Sequence, residues 1–173
     1  MRFELDFFGE DLLASDIGGI GERADDLRPA FRRVIKQLHS AATKQFDSEG
    51  AYASGGWAPL AKSTKRRKAA LDLDPRILHA TGRMRDSLLG KNADKIQRVN
   101  RKSMVYGTYT RYAIYHAKGT AARRTANSPV GPRPQGMPRR RPMQLTKGDR
   151  RLITRSIYER VMTEQGRFAG ASR

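Results

Sequence analysis

Helical and strand-like periodicities alternate along this 173-residue chain, and that alternation predicts an α+β fold. Three observations carry the expectation. Leu27, Phe31, Val34, Leu38, Ala41 or Ala42, and Phe46 recur at three- and four-residue steps, the spacing of one helix face. Ile96 to Val99 and Met104 to Tyr106 flank Asn100-Arg101-Lys102 and read as the arms and bend of a hairpin. Prolines 129, 132, 134, 138 and 142 crowd residues 119–144. A segment so rich in proline lacks the amide donors for a helix or central strand, so it reads as an extended basic arm.

The elements follow in order. Residues 2–8, RFELDFF, alternate Phe3, Leu5 and Phe7 with charged residues, which predicts a half-buried strand. Gly18, Gly19 and Gly21 then suggest a flexible connection. A phosphate loop is excluded there, because no Lys-Ser/Thr pair follows. The helix over 26–46 has Asp25 or Asp26 to cap it and Pro29 for its first turn. Its apolar stripe makes it the spine of the core.

Residues 48–75 read as a long loop holding the one tryptophan, Trp57. Trp57 either anchors that loop or meets a partner subunit. Ser63 stands near the start of a short basic helix within the loop. A further helix is expected from an N-cap at Thr81, with Met84 and Leu88 on one face. Tyr112, Tyr115 and His116 belong to another short helix ending at Gly119. After the arm, a C-terminal helix is expected over 145–165. There Thr146 and Asp149 resemble a capping box, and Ile153, Ile157 and Val161 form the stripe. Residues 166–173 read as a frayed end, and the whole of 1–173 as a single domain.

The formal charge of +18 is uneven. Residues 1–26 hold two basic and eight acidic residues, a net of −6, and the remaining 33 basic and nine acidic residues give +24. A field of that size attracts polyanions, so nucleic acid or an acidic protein surface is the expected partner. The chain has no cysteine, which excludes disulfides, thiolate metal sites and cysteine nucleophiles. No secretory leader and no apolar run of about 18 residues is visible. A soluble protein made in a cytoplasm is expected.

No catalytic constellation assembles. His39, His79 and His116 lie far apart in sequence, without a metal-ligand spacing. Asp72 and Asp74 sit between Lys68 and Arg76, an arrangement for ion pairing. Ser63 and Thr64 have no base beside them. No enzyme, metal or cofactor is expected. The basic runs stand out instead: 65–68, Arg123-Arg124, and Arg139-Arg140-Arg141 within MPRRRPM (residues 137–143). Guanidinium groups fork onto phosphate or carboxylate oxygens. These runs serve either sequence-blind contact with nucleic acid or pairing with acidic neighbours.

Four segments in order, GGWAPLAKSTKRRK, ILHATGRMRDSL, VYGTYTRYAIYHAKGT and MPRRRPM, resemble the tailed-phage virion morphogenesis family, which includes Mu-type G and S-type tail-completion proteins. The matching positions are Trp57, Pro59, Leu60, Leu78, Thr81, Gly82, Ser87, Gly107, Thr108, Tyr112, Ala113, His116, Gly119, Thr120, Pro138, Arg141, Pro142 and Met143. Met84 stands where the family usually has leucine, and MPRRRPM carries one extra residue and lacks the usual Phe-Leu ending.

The resemblance implies a small antiparallel sheet packed on a long helix, and a structural subunit without catalytic residues. It implies a place at the head–tail junction of the virion, in a neck, tail-completion or tail-terminator ring. Six copies around the DNA channel are expected, in contact with other neck, connector and tail proteins. Trp57, Pro59, Leu60, Pro138, Arg141, Pro142 and Met143 are then expected at subunit interfaces. Arg123, Arg124, Arg139 and Arg140 are expected to face the DNA. The rival expectation, drawn from charge alone, is a free-standing, sequence-independent nucleic-acid-binding protein.

Overall fold

A computed structural model of the chain describes residues 10–120 and 136–162. Helices dominate, with one antiparallel hairpin packed against them. The elements are α1 (Glu10–Asp25), α2 (Arg28–Asp47), α3 (Ala51–Ser54), α4 (Lys62–Ala70), α5 (Arg83–Leu88), β1 (Lys95–Val99), β2 (Met104–Thr108), α6 (Ala113–Lys118) and α7 (Lys147–Met162). The strand expected over 2–8 lies outside the described residues, as do Arg123 and Arg124.

The apolar stripe of α2 is buried as its period requires: Ala30, Phe31, Val34, Leu38, Ala41, Ala42 and Phe46 all face inward. Pro29 sits in the first turn, where a missing amide donor costs nothing. Leu27 is the N-cap residue and gives no side-chain cap. Asp26 stands one position earlier, its carboxylate accepting from the Arg28 amide at 3.1 Å.

The Gly18–Gly21 stretch corrects an expectation. It is helical, inside α1. Glycine lowers helix propensity by only about 1 kcal/mol per residue, and packing of α1 on α7 supplies the difference. Arg23 Nε donates to the Val161 carbonyl at 2.9 Å across that contact.

The hairpin pairs Ile96 with Gly107 and Gln97 with Tyr106. Leu27 N donates to Arg101 O at 2.8 Å, which joins the bend to the start of α2. One face of the hairpin turns to the core, where Tyr106 donates its hydroxyl proton to the Leu88 carbonyl. The other face carries Arg98 and Val105, both exposed.

α5 begins after Gly82 rather than Thr81. Gly82 has φ of 69°, a left-handed turn that glycine adopts without steric cost. α7 starts as the sequence indicates. Thr146 N and Oγ1 donate to Asp149 Oδ2 at 2.8 and 2.7 Å, and Asp149 N donates back to Thr146 Oγ1 at 3.1 Å. α7 packs along α2, with Gln37 Nε2 donating to the buried Ser156 hydroxyl at 2.9 Å. The core is closed by Ala42, Phe46, Trp57, Ile77, Met84, Leu88 and Ala113.

Candidate functional site

The described end of the basic arm, residues 136–144, lies on its own chain. Thr120 and Met137 are bonded to each other: Thr120 N donates to Met137 O at 2.9 Å, and Met137 N to Thr120 Oγ1 at 2.8 Å. Gly119 makes this approach possible. Its φ is 72°, and a Cβ there would lie 3.0 Å from Met137 O and 3.1 Å from Arg139 N.

From that point the MPRRRPM segment lies against the loop between α3 and α4. The three arginines divide the work. Arg139 is exposed and donates from Nε to Ala117 O at 3.0 Å. Arg140 is only 5% exposed. Its amide donates to His116 O at 2.7 Å, while Nε and Nη2 donate to Ala58 O and Pro59 O at 2.8 and 2.9 Å. A planar fork can satisfy two neighbouring carbonyls at once, which an ammonium group does less well. Burial draws the Arg140 pKa down from its ordinary value. The guanidinium is therefore an internal tie in this chain, and the fork that the sequence suggests for DNA holds main-chain carbonyls. Arg141 points outward, but its carbonyl is held from within. Trp57 Nε1 and Gln45 Nε2 donate to it at 3.1 and 3.2 Å.

Trp57 lies at the centre of this clasp. It is 7% exposed and meets Phe46 edge to face, with ring centroids 5.5 Å apart. Its expected interface role meets a plain fact: within the single chain this ring is already covered. Pro142 is also buried, Leu60 and Met143 are half-buried against the core, and Pro59 and Pro138 are exposed. The ring also sits over Gly50, where φ is 88° and a Cβ would come within 2.4 Å of the indole.

Gln45 is the residue that sequence reasoning passed over. It is fully buried, and its amide spans the arm and the loop: Nε2 reaches Arg141 O, and Oε1 accepts from Ala53 N at 3.1 Å. A polar side chain beside Ala41, Ala42 and Phe46 on the buried stripe was the available signal, because a buried amide must find partners. Gln144 Nε2 adds a bond to Ala53 O at 2.7 Å.

The other motif positions act within the chain as well. Ser87 is fully buried, and its hydroxyl lies 2.6 Å from Thr108 Oγ1, which bonds Thr110 Oγ1 at 2.8 Å. This hydroxyl chain ties α5 to β2. His116 faces Tyr112 edge to face. Burial pushes its pKa below the ordinary imidazole value, and the Arg140 guanidinium adds to the effect. His79 is buried beneath Phe46, with Nε2 3.3 Å from the Phe46 carbonyl. Asp74 pairs with Arg76 at 2.6 Å, as the spacing suggests. Among the described residues no group of three His, Cys, Asp or Glu side chains is arranged to hold a metal ion, and no helix is long and apolar enough to cross a membrane.

The arrangement is thus a set of loop and arm contacts built from main-chain carbonyls and a few buried side chains. No curated protein and no solved structure matches the chain. One family model does match, over residues 13–162. That span takes in the loop, the hairpin, the arm and α7, and the family is structural and non-enzymatic. By that match, the chain belongs to the phage virion morphogenesis family.

Proposed function

We propose that this protein is a subunit of a neck or tail-completion ring, joining head to tail around the DNA channel. The observation that carries the reading is the family match over 13–162. A second feature supports assembly. Val105, Tyr109, Ile114 and Tyr115 on the β2–α6 segment are each more than half exposed. Large apolar side chains grouped on one short stretch of surface favour contact with another protein.

In this reading six copies close the ring. Pro59, Pro138 and Arg141 offer outward contacts to the next subunit and to neighbouring neck, connector and tail proteins. Trp57, Leu60, Pro142 and Met143 hold those contacts in shape from beneath. The clasp lowers the entropy lost on docking, because the arm's base is already fixed. Arg123, Arg124 and Arg139 are the arm residues offered to DNA, while Arg140 is held inside the chain.

Immunogold labelling of purified virions tests this placement. Label at the head–tail junction is expected, and label confined to capsid or tail tip would overturn it. The second reading, a free nucleic-acid-binding protein, is favoured by the +24 charge of residues 27–173. It expects no label on virions and tight DNA binding by the monomer.

A further inference from the structure

α4 is a helix with almost no core. Of its nine residues only Lys68 is buried. Its Nζ donates to Asp74 O at 2.7 Å and Arg76 O at 2.6 Å, and burial lowers its pKa from the usual lysine value. This basic side chain is an anchor. It fixes which side of α4 faces the body.

The remaining cations then have a defined direction. At about 100° per residue, Lys65, Lys62, Arg66 and Arg67 fall within an arc of about 200° opposite Lys68 and the half-buried Thr64. All four are exposed. Some exposed cations elsewhere are paired, Arg28 with Asp26, Arg76 with Asp74, Lys102 with Asp25 and Arg155 with Glu159. None of these four α4 cations has a carboxylate within ion-pair distance among the described residues. Asp72 is the nearby acid, sharing a shallow depression with Lys65, Lys68 and Pro75.

Such a helix works against itself. Like charges at three- and four-residue spacing, Lys62 with Lys65 and Arg66, destabilise a helix by a few tenths of a kcal/mol each. No apolar stripe compensates. A bound polyanion would relieve that repulsion, and from Lys62 to Arg67 the helix rises only about 7.5 Å, short enough for its cations to meet neighbouring phosphates.

We infer that α4 is a sequence-independent binding site for the phosphate backbone of double-stranded DNA, oriented by Lys68. DNA is favoured over an acidic protein surface because the helix offers charge with almost no apolar area. Leu71, at its end, is the one large exposed apolar side chain nearby. The inference concerns the isolated chain and does not depend on placement in a ring.

The test compares two charge-matched variants of the full chain. One carries Lys62→Gln, Lys65→Gln, Arg66→Gln and Arg67→Gln. The other carries Lys118→Gln, Lys147→Gln, Arg150→Gln and Arg151→Gln, on α6 and α7. Affinity for a short duplex of arbitrary sequence is measured across a salt series. Four lost phosphate contacts lower the log–log salt slope by about 3.6, and the α4 variant is expected to show that loss while the other keeps most of its slope. Equal losses in both would mean that net charge alone binds DNA, and would overturn the assignment. So would preference of the wild-type chain for a polyglutamate peptide over the duplex. Helical content is checked by circular dichroism; if the fourfold variant loses its fold, Lys65→Gln with Arg66→Gln is used, expected to lower the slope by about 1.8. Virion labelling reads ring placement separately, so either proposal can fail alone.

Discussion

The indole N–H of Trp57 donates to the carbonyl of Arg141 at 3.1 Å, across 84 residues of chain. One bond thus joins the loop between α3 and α4 to the end of the basic arm. Trp57→Ala removes it together with the edge-to-face contact on Phe46, and is expected to cost about 3–5 kcal/mol. Trp57→Phe keeps much of the packing and loses only the donor, with about 1–2 kcal/mol expected. Urea unfolding of both variants measures the difference.

Gly50 and Gly55 both have positive φ, at 88° and 72°. Only Gly50 lies under the Trp57 ring, while nothing stands within 4 Å of a Cβ at Gly55. Gly55→Ala is therefore expected to cost about 1–2 kcal/mol from backbone strain alone. Gly50→Ala adds an overpacking cost of about 1–3 kcal/mol. Equal midpoints for the two variants in denaturant would contradict the close approach of indole and backbone.

The three arginines of MPRRRPM should separate by measurement. Arg140→Ala leaves the Ala58 and Pro59 carbonyls without their donors, and about 2 kcal/mol of stability is expected to go. Arg139→Ala and Arg141→Ala remove exposed side chains and are expected to stay within about 0.5 kcal/mol. Arg140→Lys should recover part of the loss, since one ammonium replaces the fork.

Stability is expected to fall as pH drops below about 6.5. Burial lowers the pKa of both His39 and His116 from 6.5. Each binds its proton more readily unfolded than folded, so the folded state is favoured in full above the unfolded pKa. That advantage is lost as pH falls through the folded values. Thermal unfolding between pH 7.5 and 5 should show the decline, and His116→Gln should flatten it.

Asp149 carries a different pH signature. Burial pushes its pKa up, but hydrogen bonds from Thr146 and Tyr52 outweigh that and hold it below the ordinary value. Its contribution is present above the unfolded pKa and is lost as pH falls through the folded one. Thr146→Ala should cost about 1 kcal/mol at neutral pH and shrink the acid-side loss. Unfolding of wild type and variant from pH 7 to 3 checks both parts.

Local pattern was enough for several elements. The α2 stripe, the 95–108 hairpin, the α4 helix, the Gly119 stop and the Thr146–Asp149 box all follow from neighbours within a few residues. Their physics is short-range: helical period, turn chemistry and end capping. The ordered motifs from Trp57 to Met143 likewise carried the family. The same local reasoning misread Gly18–Gly21 as a connection, because the packing of α1 on α7 is invisible from that stretch alone.

What the amino-acid order determined by itself was the kind of element at most positions, the uneven charge, the absence of cysteine chemistry and the family resemblance. Only the tertiary structure decided which basic residues face inward. Arg140 and Lys68 look like their neighbours in sequence, yet each is buried on main-chain carbonyls, while Arg139, Arg141 and the other α4 cations stay in water. The reason is that a buried cation needs several acceptors converging on it, and those carbonyls come from loops whose meeting no local pattern encodes.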